Sequence, residues 1–303
     1  MTRARTVGPA LTALLERAVD YAGLFPPASL SMEAAVHAYD EDRRGAAAWM
    51  LGRFVVPASR LEAFDAAGRE ILPASAAESW ALSALVSADA AVDMRSIHAF
   101  NDRHRDVRHG AVYVDTVEIR ASHCAEILAA GEIVSGFDAF IEVPVLEDPD
   151  SLIAAVGEIG AKAKIRTGGV TADAIPAERH VVRFMRCCLE HGVAFKATAG
   201  LHHPLRAEYP LTYEAKAPRG TMYGFLNVLL AAALMCQGGD DAAVLALLDE
   251  RDPSAIQLEG DRLRWREVVL TAEALHAARH HALAFGSCSF REPVDDLRRL
   301  GML

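Results

Sequence analysis

Eight short apolar, β-rich runs alternate with amphipathic segments along almost the whole chain, and no other feature restricts the fold as much. The runs are Ala48–Val56, Ala81–Val86, Ala111–Glu118, Ala139–Val145, Ala161–Arg166, Val193–Thr198, Ala255–Leu258 and Leu283–Phe290. Between them apolar residues recur three and four apart, as in Arg60–Ile71, Ala90–Phe100, His123–Ala130, Ser151–Ile159, His180–Leu189 and Val268–His280. Strands separated by helices pair in parallel, because each helix carries the chain back to start the next strand. Several runs are apolar on both faces, as strands are when helices cover one side and packed side chains fill the other. Eight such units in 303 residues predict a single (β/α)8 (TIM-type) barrel domain over residues 1–303. An open doubly wound sheet would place a glycine-rich turn after its first strand, where this chain has Pro57-Ala58-Ser59. The seventh run is the weakest, since Ile256–Trp265 reads equally well as a hairpin turning at Gly260-Asp261.

Residues 1–46 precede the first of these runs and are expected to be helical in two pieces, Pro9–Asp20 and Met32–Arg43, the second opened by Ser31 as N-cap. Gly23-Leu24-Phe25-Pro26-Pro27 must turn between them, because paired prolines forbid a helix. Residues 204–222, after the sixth run, lack periodicity and are expected to form a long loop acting as a lid.

Charge and composition exclude several function classes. A net charge of -10 with no basic stripe opposes nucleic-acid binding. The longest apolar stretch, Phe225–Cys236, is broken by Asn227 and is too short for a bilayer, so no membrane association is expected. The basic opening Met1–Arg5 leads into a pattern containing Glu16, Arg17 and Asp20 rather than a signal-peptide core. Five scattered cysteines without a Cys-x-x-Cys pair read as buried thiols in a reducing compartment. The expectation is a cytoplasmic protein whose partner is a small-molecule substrate.

Barrel chemistry sits at the carboxyl ends of strands. Alternation places Lys162, Lys164 and Arg166 on one face, followed by Thr167 and the turn Gly168-Gly169, whose amides can approach an anion. The next run ends with Lys196 and Thr198, then His202-His203. A lysine desolvated beside another cation has a lowered pKa and becomes nucleophilic. Lys164 and Lys196 are expected to be such a pair, with anchoring of a carboxylate or phosphate as the competing role. Glu142, in an apolar run, needs a cation or a metal beside it. Asn227 at the head of an apolar helix, and Ser287 and Ser289 around Cys288 at the end of the last run, complete the expected substrate-binding set. Asp20-Tyr21 would reach the barrel mouth if the N-terminal segment folds over it.

Lys164-Ile165-Arg166-Thr167-Gly168-Gly169 and Phe195-Lys196-Ala197-Thr198-Ala199-Gly200 resemble the paired lysine strands of deoxyribose-phosphate aldolases, which end in Lys-Thr-Ser-Thr-Gly and Lys-Ala-Ser-Gly-Gly. The resemblance implies that Lys164 forms a Schiff base and Lys196 tunes it. It covers about a dozen residues. Arg166 stands where that family has a small hydroxyl residue, His202-His203 has no counterpart, and the two runs count as fifth and sixth, one earlier than in that family. The wider pattern, including Tyr21–Pro27, also resembles a group of bacterial proteins to which no activity is attached.

Three functions follow from these residues. The first is an aldolase-like lyase that acts on a small anionic carbonyl compound through a lysine Schiff base, with Glu142 or a histidine moving protons. The second is a metal-dependent hydrolase or lyase with His202, His203 and Glu142 around a divalent metal. The third is a non-catalytic barrel that binds a metabolite or a protein.

Overall fold

A computed structural model describes residues 7–303. Eight parallel strands close into a barrel: β1 Val19–Tyr21, β2 Leu51–Pro57, β3 Trp80–Leu85, β4 Val112–Arg120, β5 Asp138–Glu142, β6 Lys162–Arg166, β7 Phe195–Thr198 and β8 Ala282–Ser287. Each pairs with its neighbours in sequence, and β1 closes the ring against β8. Helices return the chain between strands, which gives the (β/α)8 architecture.

The strand count is eight, but two of its members differ from the sequence expectation. The first helix ends at Leu15, and β1 begins within the segment read as helix Pro9–Asp20, taking its last two residues. Arg17 breaks the helix by adopting a φ of 50°. Ala255–Leu258 is not in the barrel. Ile256–Glu259, Arg262–Trp265 and Val268–Thr271 form an antiparallel three-stranded sheet beside it, turning at Gly260, where φ is 66°. The helix expected over Val268–His280 is correspondingly shortened to Ala272–Ala278. Consequently the strand carrying Lys164 is the sixth and that carrying Lys196 the seventh.

The stretch 204–222 follows the seventh strand, and it is not a structureless loop. Ala207–Pro210 and Arg219–Met222 pair as an antiparallel hairpin whose tip, residues 211–218, leans over the carboxyl end of the barrel. Met32–Arg43 is helical as expected, and the Ser31 side chain accepts the Ala34 N–H at its start. No helix among the described residues is long and apolar enough to cross a membrane.

Between the barrel and its first helices, rings pack in a chain from Tyr21 through Tyr39, Phe54 and Phe64 to Phe100. Tyr39 also meets Trp80 edge-on at 4.9 Å. Each such contact adds about 0.5–1.5 kcal/mol beyond the area it buries. These rings occupy the outward face of the first strands, opposite the inward-facing Asp20, Arg53 and Ser83.

Candidate active site

The barrel interior is lined by ions in two tiers. On β6, Ala163 and Ile165 are fully buried against the helices, so Lys162, Lys164 and Arg166 face inward at successively higher levels. Low in the barrel, Lys162 pairs with Asp138 at 2.9 Å, and Arg53 grips Asp115 at 2.7 Å. One tier up, register aligns Glu142, Lys164 and Lys196 across β5, β6 and β7. Adjacent parallel strands lie about 4.8 Å apart, so these three side chains must interact.

Lys196 Nζ donates to Asp20 Oδ2 and Glu118 Oε1, both at 2.6 Å. Lys164 Nζ lies 2.8 Å from Glu118 Oε2 and 2.9 Å from Glu142 Oε2. Glu118 therefore bridges the two lysines, one oxygen to each, and Ser83 Oγ donates to it at 2.6 Å. Asp20 is held from its other side by the Arg53 backbone N–H at 2.9 Å. Gly52 makes room for it, since a Cβ there would stand 2.5 Å from Asp20 Oδ1.

Burial works against the charge on Glu118, but the ammonium groups of Lys164 and Lys196 outweigh it and hold the carboxyl far below its usual range. Burial likewise disfavours the Lys196 ammonium, and Asp20 and Glu118 more than compensate, raising its pKa. This corrects the expectation of a depressed lysine at this position: two carboxylates, not a second cation, are its contacts. Lys196 is also completely buried, with its Nζ 5.0 Å from the Phe140 ring centre. Lys164 keeps 6% of its surface exposed, and it lines the cavity above.

That cavity, about 230 Å³, opens at the carboxyl ends of the strands. Phe25, Pro26 and Pro27 from the turn after β1 form one wall, and Leu211 and Met222 from the hairpin form another. Glu118, Lys164 and Lys196 form its polar floor. Arg166 lines it as an exposed side chain with no ion-pair partner among the described residues. Gly169, Thr198, Gly200, His202 and Cys288 also line it.

Other expected site residues have different surroundings. Thr167 is buried and donates to the Ala199 carbonyl at 2.8 Å, tying the loop after β6 to that after β7. Gly168 permits this approach, as a Cβ there would meet Ala199 O and Gly200 Cα at 3.2 Å. Thr198 Oγ1 donates to the Ile165 carbonyl at 3.3 Å. Ser287 is buried beside His202, whereas Ser289 lies beyond Cys288 in a neighbouring depression and accepts the Glu292 N–H that starts the last helix.

Asn227 is not at the cavity. It is fully buried, accepts the Arg206 N–H at 2.8 Å, and donates to the carbonyls of Leu247 and Glu250 at 2.8 and 2.9 Å. Its polarity satisfies backbone groups rather than a substrate. Asn227→Ala removes three buried hydrogen bonds, and the expected loss is about 3 kcal/mol, read as a lowered urea midpoint with an unchanged slope.

The trio expected around a metal does not converge. Glu142 is engaged with Lys164, and His203 turns away to Asp296 at 2.6 Å and stacks on Tyr209 at 3.7 Å between ring centres. His202 alone of the two histidines lines the cavity. Among the described residues no group of three or more His, Cys, Asp or Glu side chains is arranged to hold a metal ion.

The unforeseen members are Glu118 and Ser83, while Asp20 arrives through β1 rather than through a folded-over helix. One signal was available. The chain has 27 arginines and only four lysines, Lys162, Lys164, Lys196 and Lys216, and three of the four lie inside the barrel.

No protein-family model matches the chain, and no curated protein matches it. Among solved structures it is similar to a lysine/ornithine decarboxylase complexed with cadaverine from Vibrio vulnificus, with a TM-score of 0.36 and 12% identity. That match covers 62% of this chain and 48% of the other, about half the length of that protein.

Proposed function

We propose that this barrel is an aldolase-like lyase in which Lys164 forms a Schiff base with a small anionic carbonyl compound. The observation that carries the reading is the carboxylate of Glu118, shared between Lys164 and Lys196 on the cavity floor. Of the two lysines, Lys164 is the one with surface open to the cavity, and Glu142 at 2.9 Å is placed to accept the proton it must shed before attack. Lys196 stays an ammonium and holds positive charge beside the developing enamine.

Four further observations support the reading. The lysine strands are the sixth and seventh, so the one-strand offset from deoxyribose-phosphate aldolases disappears. In a chain that otherwise uses arginine for its positive charge, lysine is retained in the barrel, and only lysine can release its proton and act as an amine nucleophile. Arg166, without an ion-pair partner among the described residues, stands on the cavity wall and complements the anionic group of the substrate. The size of the cavity suits a compound of a few carbons.

Borohydride reduction in the presence of propanal or pyruvate, followed by peptide mass mapping, tests the proposal. The expected product is a stable adduct on Lys164 that Lys164→Ala abolishes. Because Lys216 is the only exposed lysine among the four, background labelling is easy to separate. Labelling confined to Lys216, or labelling unaffected by Lys164→Ala, would overturn the reading.

A further inference from the structure

A Schiff base on Lys164 still needs a group to carry protons between substrate atoms, and the cavity offers few. Asp20 and Glu118 are committed to Lys196 at 2.6 Å, and Glu142, 2.9 Å from Lys164, is occupied by the proton that this lysine sheds. The Cys288 thiol is pushed up to about 11 by burial and stays protonated. Thr198 spends its hydroxyl proton on Ile165 O.

His202 differs from all of these, because its hydrogen bonds leave one nitrogen open. Its Nδ1 lies 3.2 Å from Ser287 Oγ. The Ser287 hydroxyl proton is already given to the Ser289 carbonyl at 2.6 Å. Ser287 Oγ can therefore only accept from His202, which sets the Nδ1–H tautomer; Cys288 Sγ, 3.7 Å from the same nitrogen, is a second acceptor once its own proton points to the Tyr213 hydroxyl at 3.5 Å. Glu292 Oε2, 3.6 Å from the same nitrogen, favours that arrangement, and Tyr213 of the hairpin tip holds Glu292 by donating to it at 3.0 Å. Nε2 then carries the lone pair. It has no hydrogen-bond partner among the described residues and is not among the buried polar atoms sealed from solvent. Burial, and secondarily His203, keep the ring neutral at neutral pH, its pKa lowered to about 4.

We propose that His202 is the proton-transfer residue of this cavity. The inference rests on the Schiff-base reading. In the cleavage direction Nε2 takes the proton of the hydroxyl on the carbon next to the iminium-bearing fragment. The carbon–carbon bond breaks, its electron pair forming the enamine while the hydroxyl carbon leaves as an aldehyde. The imidazolium returns its proton to the enamine carbon, and water then releases the product ketone or aldehyde and frees the lysine. Ser287 and Glu292 act as positioning residues for the ring.

The test separates adduct formation from proton transfer. With propanal in D2O, the same base would remove and replace hydrogen on the carbon next to the Lys164 iminium. Wild-type protein is expected to give both the borohydride adduct and deuterated propanal. His202→Gln is expected to keep the adduct and slow deuterium incorporation by about a hundredfold or more, the usual effect of losing a general acid–base. Thermal melting checks that His202→Gln is folded. If it is not, Ser287→Ala, which releases the tautomer, is expected to slow incorporation with the adduct retained. Incorporation at the wild-type rate in folded His202→Gln would overturn the inference, as would loss of the adduct in that variant. A wild-type protein that forms no adduct removes the Schiff-base reading itself and this inference with it.

Discussion

Replacing Lys196 by methionine is expected to cost about 3–5 kcal/mol of folding stability at neutral pH, the range for removing one partner from a buried ion pair. Methionine has nearly the volume of the lysine stem, so a cavity is not the cause. The cause is charge: Asp20, Glu118 and Glu142 would be left with Lys164 as the one cation in contact, where now Lys196 Nζ touches Asp20 and Glu118 at 2.6 Å each. The Phe140 face, now 5.0 Å from that ammonium, also loses its cation. Arginine does not rescue the position, because its bulkier fork has no room at a site with no exposed surface. In the variant, burial without a cation raises a carboxyl above its unfolded value, and such a group loses stability as pH rises through that range. Mild acid should therefore return part of the lost stability, whereas it gives the wild-type tier no such relief. Urea melts at pH 7 and 5 check this, and unchanged midpoints at both pH values would contradict it.

The same tier shows what can be read from a sequence of this kind. Parallel strands packed on both sides leave unbroken apolar runs, and seven of the eight barrel strands announce themselves that way. β1 does not, because Val19–Tyr21 is three residues long and follows a helix whose apolar spacing continues through Ala18. Only the positive φ of Arg17 separates the two, and no residue type there signals it. The sheet strand Ile256–Glu259 filled the vacant place in the count, so the total agreed while the numbering shifted. Lys164 and Lys196 stand out as cations in apolar strands. Their carboxylates are harder to find, since Asp20 meets Lys196 across 176 residues only when the barrel closes. Asn227 misleads for a related reason: a polar residue heading an apolar helix looks functional until the backbone groups it satisfies are in view.

Glu118→Gln isolates the contribution of the bridging carboxylate, and its expected cost at pH 7 is about 3 kcal/mol. An amide can still accept from Ser83, but its NH2 must face an ammonium, donor against donor. The pH dependence carries the sharper expectation. Glu118 titrates far below its ordinary value of 4.5 in the folded chain, because Lys164 and Lys196 overcome the burial that would raise it. A carboxyl with a lowered folded pKa contributes fully above the unfolded value and loses that contribution as pH falls toward the folded one. The stability gap between wild type and Glu118→Gln should thus be largest at pH 6 and above, and close steadily below about pH 4.5. Two other groups titrate nearby with opposite signs. Asp42 is pushed up to about 6 by burial and gives stability as pH falls, while His202, held neutral down to about 4, takes stability away. Both are present in each protein, so the difference between the two curves is free of them. A gap that stays constant from pH 7 to pH 3 would mean that Glu118 is not the charged link between the lysines.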